Sequence, residues 1–222
     1  MIHHHLLNLL FPPKCILCQR ILQDTETDLC VSCRTNTQEH PTPKQKISFV
    51  AAWTAMWYYK DDVRYSILRY KFSGRRSYGA VYGKLLALHL LSKSDWNYDV
   101  ITWVPVSRQR RWRRGYDQVE LITLAMGEAL GTQAVRLLTK QRHNQAQSGI
   151  SGYAHRKANV LGAYRVNNPG MIAGKRILLL DDIITSGATV SECAKTLTIA
   201  GAGEVCCAAV AAANDQKSNK TM

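Results

Sequence analysis

Residues 177–189 read Ile177-Leu178-Leu179-Leu180-Asp181-Asp182-Ile183-Ile184-Thr185-Ser186-Gly187-Ala188-Thr189. The apolar run Ile177–Leu180 predicts a strand, and it carries two adjacent carboxylates to its end. A turn of small and hydroxyl residues follows. Val190, Cys193, Ala194 and Leu197 then recur at helical spacing up to Gly201. A helix N-terminus leaves backbone N–H groups unpaired and carries partial positive charge, so it receives a phosphate well. Gly187 lets the backbone approach a ligand closely, and Thr185, Ser186 and Thr189 add hydroxyl donors. Asp181 and Asp182 repel phosphate and suit hydroxyl groups or a metal ion instead. A ligand with a phosphate at one end and a diol at the other is a sugar phosphate.

Outward from this stretch, apolar strands alternate with helical stripes. Val100–Val104 reads as a buried strand ending at Pro105. A helix is predicted from the recurrence of Val119, Ile122, Met126 and Leu130, stopped by Gly131. Val205–Ala213 gives a last strand, and Ala134–Leu138 and Ala163–Val166 give two short ones. Between these, residues 140–154 are polar and without period, which predicts a mobile loop. Upstream, Phe49–Tyr58 is rich in aromatic and β-branched residues and predicts a strand. Asp61 stands as the N-cap of a helix with Val63, Ile67 and Leu68 on its stripe. A further helix over Tyr78–Leu91 is predicted to bury Val81, Leu85, Leu88 and Leu91. Such alternation implies βα units and a mainly parallel sheet flanked by helices, an α/β fold. Ligands in these sheets sit beyond the carboxyl ends of the strands, so the loops after Val104 and Leu180 are where chemistry is expected.

The loop after Val104 is strongly basic. Arg108, Arg110, Arg111, Arg113 and Arg114 fall within seven residues, with Trp112 among them. Arginine forks match phosphate oxygens in pairs, which suits a pyrophosphate. A second reading is single-stranded nucleic acid, stacked on Trp112 and tracked by the arginines. A solvated charge run is the third, but five close cations repel one another without an anion nearby. The formal net charge of +13 over 222 residues favours polyanionic partners without choosing among them.

Four of the seven cysteines lie between Cys15 and Cys33, as Cys15-x2-Cys18 and Cys30-x2-Cys33. Two such knuckles place four thiolates around one zinc ion, a structural site because every ligand is protein. Zinc supplies the folding energy that residues 1–45, poor in long apolar patterns, lack. Cys193 fits a helix core face, and Cys206 and Cys207 a final strand. No apolar run reaches membrane-spanning length, and no signal peptide is read at the N-terminus, which points to the cytoplasm. The expected layout is a four-cysteine zinc-ribbon module over residues 1–45, an α/β domain over 46–213 and a disordered tail over 214–222.

The stretch 177–189 resembles the phosphoribosyl-pyrophosphate (PRPP) motif of type I phosphoribosyltransferases. That resemblance implies that Asp181 and Asp182 hold the ribose hydroxyls. It also implies that Thr185, Ser186, Gly187, Ala188 and Thr189 hold the 5′-phosphate, with magnesium accompanying the pyrophosphate. Val104-Pro105-Val106 through Arg114-Gly115-Tyr116-Asp117-Gln118 resembles the "PVP…RGFNQ" region of the ComF/GntX family of bacterial competence-associated proteins. Arg69-Tyr70-Lys71-Phe72-Ser73-Gly74 is similar to that family's "LKYxG" element, and Arg142…Gln147…Arg156 through Tyr164 to its "R…Q…RxxNVxGAF" element. By this resemblance Lys71, Arg108, Arg110, Arg111, Trp112, Arg113 and Arg114 bind pyrophosphate or DNA. Asp117 departs from the family's usual Asn and is given no phosphate role, since a carboxylate weakens anion binding locally. Many relatives carry a longer double zinc ribbon, whereas one four-cysteine set is present here. Three functions stay open. The chain is a PRPP-binding protein of natural transformation handling incoming single-stranded DNA. Alternatively it is an active phosphoribosyltransferase of nucleotide or base metabolism with an unknown acceptor. In the third, a zinc-ribbon adaptor docks a DNA helicase or DNA-protection protein.

Overall fold

The computed structural model describes residues 12–141 and 161–213. Its elements run in the order α1 (Val31–Asn36), β1 (Trp53–Tyr58), α2 (Asp61–Phe72), α3 (Tyr78–Lys93), β2 (Val100–Trp103), α4 (Arg108–Arg114), α5 (Gln118–Leu130), β3 (Leu138–Lys140), β4 (Tyr164–Val166), β5 (Arg176–Ile184), α6 (Ala188–Ile199) and β6 (Glu204–Ala212). A 3-10 turn, Pro169–Met171, leads into β5. Four strands form one sheet in the order β1-β6-β5-β2, and every pairing in it is parallel. β3 and β4 form a separate antiparallel pair.

The strand period of two divides the core into two layers. Leu178, Leu180, Cys206, Ala208 and Val210 face one side, where Ile67 of α2, Tyr82 and Leu86 of α3, and Ile122 and Met126 of α5 cover them. Ile177, Leu179, Cys207 and Ala209 face the other, under Val190, Cys193, Ala194 and Leu197 of α6. Cys15, Ile16, Leu17 and Cys30 belong to the first layer, so the cysteine knuckles share a core with the sheet.

Several expectations shift. α3 buries Tyr82, Leu86 and Leu90, while Leu88 and Leu91 are exposed. The predicted stripe is thus displaced, and two glycines explain why. A Cβ at Gly79 would lie 2.8 Å from the Leu121 Cβ, and one at Gly83 would lie 2.6 Å from the Ile122 carbonyl oxygen. α3 is therefore pressed against α5 through its glycine face, which hydropathy does not mark. The basic segment after Pro105 is a short helix rather than a loop, capped by Ser107 and ended by Gly115 at φ 77°. β1 starts at Trp53, because the Val50 N–H donates to the Ile47 carbonyl and Phe49 turns at φ 64°. Lys60 rather than Asp61 is the cap residue of α2. The strand expected over 134–138 moves to Leu138–Lys140, and Ala134 keeps only a bridge to Ile101. The expected mobile loop beyond Gln141, the residues 142–160 of the family element and the tail 214–222 lie outside the described residues. Among the described residues no helix is long and apolar enough to cross a membrane.

Candidate functional site

β5 does not stop at Leu180. Its ladder with β6 continues through Asp181, opposite Ala209, to Ile184, opposite Ala212. Both carboxylates therefore stand on strand backbone and point to opposite faces. The Asp182 N–H donates to Asp181 Oδ1 at 2.8 Å, and both residues are buried. Lys71, at the end of α2, donates to Asp182 Oδ1 at 2.9 Å and pairs with Oδ2 at 2.8 Å. The ammonium expected on pyrophosphate or DNA thus neutralises one acid of the pair. Asp181 has no ion-pair partner among the described residues. Burial, and then the charge of Asp182, push its carboxyl well above the usual range.

Residues 185–187 bend sharply, and Gly187 at φ 70° delivers the chain into α6. No side chain caps that helix, so its first N–H groups face the bend without a side-chain partner. Gly187 is required twice over. Its φ disfavours other residues, and a Cβ would sit 3.1 Å from the Ile47 side chain. Thr185 is exposed, Ser186 and Thr189 are half-buried and Ala188 is buried. The loop and the acid pair are contiguous, which places a phosphate-accepting helix end beside carboxylates suited to hydroxyls.

The arginine helix α4 presents Arg108, Arg111, Trp112 and Arg113 to solvent, and Trp112 is 87% exposed. Arg110 and Arg114 are half-buried. Arg114 donates to Gln118 Oε1 at 2.8 Å and lies 5.0 Å over the Phe72 ring at the end of α2. Of the five arginines, only Arg111 ion-pairs among the described residues, with Glu120 at 3.4 Å. The base of this segment is fastened by Asp117. Its Oδ2 accepts from the Val106 N–H at 3.2 Å, and its Oδ1 accepts from the Val119 and Glu120 N–H groups at 3.1 and 3.3 Å. Burial pushes the Asp117 carboxyl up. A positioning role for it was readable from an Asp preceding a helical stripe.

Lys140, Tyr164 and Arg165 were not anticipated. With Ser107, Arg108 and Thr139, Lys140 and Arg165 line a cavity of about 430 Å³ between the start of α4 and the β3–β4 pair. Lys140 lies 5.3 Å over the Tyr164 ring, and burial lowers its amine pKa. The contact is formed across strands 24 positions apart in sequence, so no local pattern announces it. A larger cavity of about 990 Å³ lies elsewhere, under residues 38–48, and none of the anticipated residues lines it.

The sulfurs of Cys15, Cys18, Cys30 and Cys33 all lie within 4.8 Å of one another. A tetrahedron with zinc–sulfur bonds of about 2.3 Å has sulfur–sulfur edges of roughly 3.8 Å. The Cys18–Cys30 separation of 3.7 Å matches that edge, and all four thiols are free. The Cys33 N–H donates to Cys30 Sγ at 3.3 Å. Glu26 ties the intervening loop by accepting from the Gln23 and Val31 N–H groups and from Arg20. The four residues fit a structural zinc ion.

Known proteins match the chain in two stretches and, more loosely, along most of its length. The phosphoribosyl transferase domain family matches residues 128–222, and the double zinc ribbon domain family matches residues 6–44. The DNA utilization protein YhgH of Escherichia coli is 29% identical over 206 residues, 86% of each chain. Competence protein F of Haemophilus influenzae is 24% identical over 215 residues, 86% of this chain and 93% of that one. Competence protein ComFC of Streptococcus pneumoniae is 31% identical over 151 residues, 68% of this chain and 64% of that one. The chain has homologues among the competence proteins F and ComFC and the DNA utilization protein YhgH. Its fold is a phosphoribosyltransferase-type parallel sheet flanked by helices, with an N-terminal zinc ribbon. The zinc-ribbon match covers all four clustered cysteines, and the phosphoribosyl transferase match runs from α5 through the acid pair and α6. The zinc-ribbon match holds one four-cysteine set.

Proposed function

We propose that this is a PRPP-binding ComF-type protein of natural transformation, handling incoming single-stranded DNA in the cytoplasm. One observation carries the reading: a buried acid pair on β5 adjoins an uncapped helix N-terminus behind Gly187. Asp181 and Asp182 hold the ribose hydroxyls, and the N–H and hydroxyl groups of 185–189 hold the 5′-phosphate. The arginines of α4 take the pyrophosphate or a DNA backbone, with Trp112 as the stacking surface, while Lys71 offsets the charge of Asp182. Magnesium enters with the pyrophosphate, whose oxygens supply hard ligands alongside a carboxylate. The division into a ribbon of residues 1–45 and a ligand-binding domain of residues 46–213 belongs to this reading. The names of the bacterial relatives, a competence protein and a DNA utilization protein, support the pathway.

The cavity beside Lys140 and Arg165 favours a second reading, an active phosphoribosyltransferase. That chemistry passes through a cation-like sugar centre and needs positioning and electrostatics more than a nucleophile. The cavity gives an acceptor a place next to the pyrophosphate arginines.

The deciding experiment titrates magnesium-PRPP calorimetrically into the zinc-loaded protein, with and without single-stranded DNA. Binding that shifts DNA affinity supports the coupled DNA-handling reading, since linkage is reciprocal. Binding with no effect on DNA favours the enzyme and directs a screen of acceptor bases. Absence of binding, or full affinity retained by Asp181→Asn with Asp182→Asn, refutes the site.

A further inference from the structure

Helix α2 touches two places at once. At its middle, Ser66 donates its hydroxyl to the Ile16 carbonyl. One Arg69 guanidinium nitrogen donates to the same carbonyl at 3.0 Å and also to the Leu17 carbonyl. Ile16 and Leu17 are the two residues between Cys15 and Cys18, so these carbonyls belong to the first cysteine knuckle. One residue on, Tyr70 donates to the Gln118 carbonyl at 2.7 Å, at the start of α5. The next, Lys71, holds Asp182 at 2.8 Å, and Phe72 lies beneath Arg114. Successive helix positions point about 100° apart, so one turn reaches the knuckle, α5 and the acid pair together.

Arg69 is the unusual member. It is half-buried, its Nε is buried without a hydrogen-bond partner, and among the described residues no carboxylate lies within ion-pair distance of it. A half-buried guanidinium with a buried, unpartnered Nε and only neutral carbonyls as described acceptors is favoured by negative charge close by. Four thiolates around Zn²⁺ carry a net charge of about −2 on the knuckle that Arg69 grips. The loaded knuckle supplies the counter-charge that Arg69 otherwise lacks.

We propose that Arg69, assisted by Ser66, is a positioning residue that makes ligand binding depend on zinc loading. With zinc bound, the knuckle is rigid and anionic, α2 is pinned by it, and Lys71 is held against Asp182. Lys71 thereby offsets the charge of Asp182, which would repel a polyanionic ligand. Without zinc, the anchor at Ile16 and Leu17 is lost, Lys71 is released and the affinity for ribose pyrophosphates falls. The inference rests on the reading of residues 181–189 as a PRPP site and adds to it a link across the molecule.

The test uses the full-length zinc-loaded protein, Arg69→Gln, and Arg176→Gln as a control that breaks the Arg176–Asp99 pair at the far end of β5. Zinc stoichiometry is verified for each, and magnesium-PRPP affinity is measured by calorimetry. Arg69→Gln is expected to keep its zinc and bind about tenfold more weakly, within the usual range of coupling between sites, while the control binds like wild type. Reciprocity supplies a second readout. In equilibrium competition with a chelator, PRPP should raise the zinc affinity of the wild type by the same factor, and should not do so in Arg69→Gln. A zinc-loaded Arg69→Gln with unchanged PRPP affinity overturns the proposal. If that variant fails to fold, the wild-type chelator competition decides, and no shift overturns it. Wild-type protein that does not bind PRPP at all overturns the site reading and this inference with it. Binding without a shift overturns the coupling alone.

Discussion

Replacing Asp117 by Ala removes a clamp rather than a ligand contact, and its cost follows from three bonds. The Asp117 carboxylate accepts from two N–H groups of the first turn of α5 and from the Val106 N–H in the turn that precedes the arginine helix. Loss of an N-cap costs about 1 kcal/mol. Stranding the Val106 N–H without a partner costs about 1–3 kcal/mol more. Removing a buried carboxylate returns part of this, because burial already disfavours its charged form. The net expectation is a loss of about 2–3 kcal/mol, or roughly 4–12 °C in melting temperature for a chain of this size. Asp117→Asn keeps an oxygen for the α5 cap but opposes an N–H donor to Val106, so about half that loss is expected. Thermal melts of zinc-loaded protein, followed by circular dichroism, measure both. The arginine segment hangs between the two clamped ends, so Asp117→Ala should also weaken single-stranded DNA binding with no change in the number of cations. A melting temperature within 1 °C of wild type for Asp117→Ala would refute the clamp.

Three further outcomes are expected. Gly83→Ala gains about 1 kcal/mol of helix propensity but places a methyl 2.6 Å from the Ile122 carbonyl and 2.8 Å from the Met126 nitrogen. Overpacking against backbone costs about 1–3 kcal/mol, so denaturant unfolding should show net destabilisation, whereas exposed Leu88→Ala stays within about 0.5 kcal/mol. Asp181 is raised by folding to about 8, so its contribution to stability is full at low pH and lost as pH rises through that value. Melts of ligand-free protein from pH 6 to 9 should therefore show Asp181→Asn gaining on wild type as the pH rises, and parallel curves would contradict the burial of that carboxyl. Replacing Arg110, Arg111 and Arg113 by Ala should lower the slope of log affinity for single-stranded DNA against log salt by about 2, at roughly 0.7 for each phosphate no longer neutralised. An unchanged slope moves the DNA surface elsewhere.

The parallel order of the sheet was legible because its strands are short apolar runs joined through helical stripes, and β5 and β6 announce themselves by composition alone. The strand–turn–helix order around the acid pair was legible because the three are consecutive, although β5 runs on through the acids to Ile184 and the bend is confined to 185–187. The buried face of α3 was not. Counting leucines selects Leu88 and Leu91, but the contact with α5 is made by Gly79 and Gly83, whose value lies in having no side chain. The arginine helix was hidden for a related reason. Its cap, Ser107, and its stop, Gly115, are both in place, yet no apolar period lies between them. Lys71 was chosen for an anion and stands instead on Asp182, 111 positions away, because such a contact depends on how α2 docks on the sheet. The cavity edge at Lys140 and Arg165 arises from pairing between strands and has no local signature.

The exposure of Trp112 has a practical consequence in optics. The chain holds five tryptophans; Trp53, Trp57 and Trp103 are buried at 9%, 7% and 3% exposure, and Trp96 is half-buried. Trp112, standing almost free on the arginine helix, dominates the red edge of the emission and is the fluorophore an aqueous quencher reaches most easily. Stacking of a nucleobase on it shields it and changes its intensity without a label. The unmodified protein therefore carries its own indicator of whether that surface is occupied.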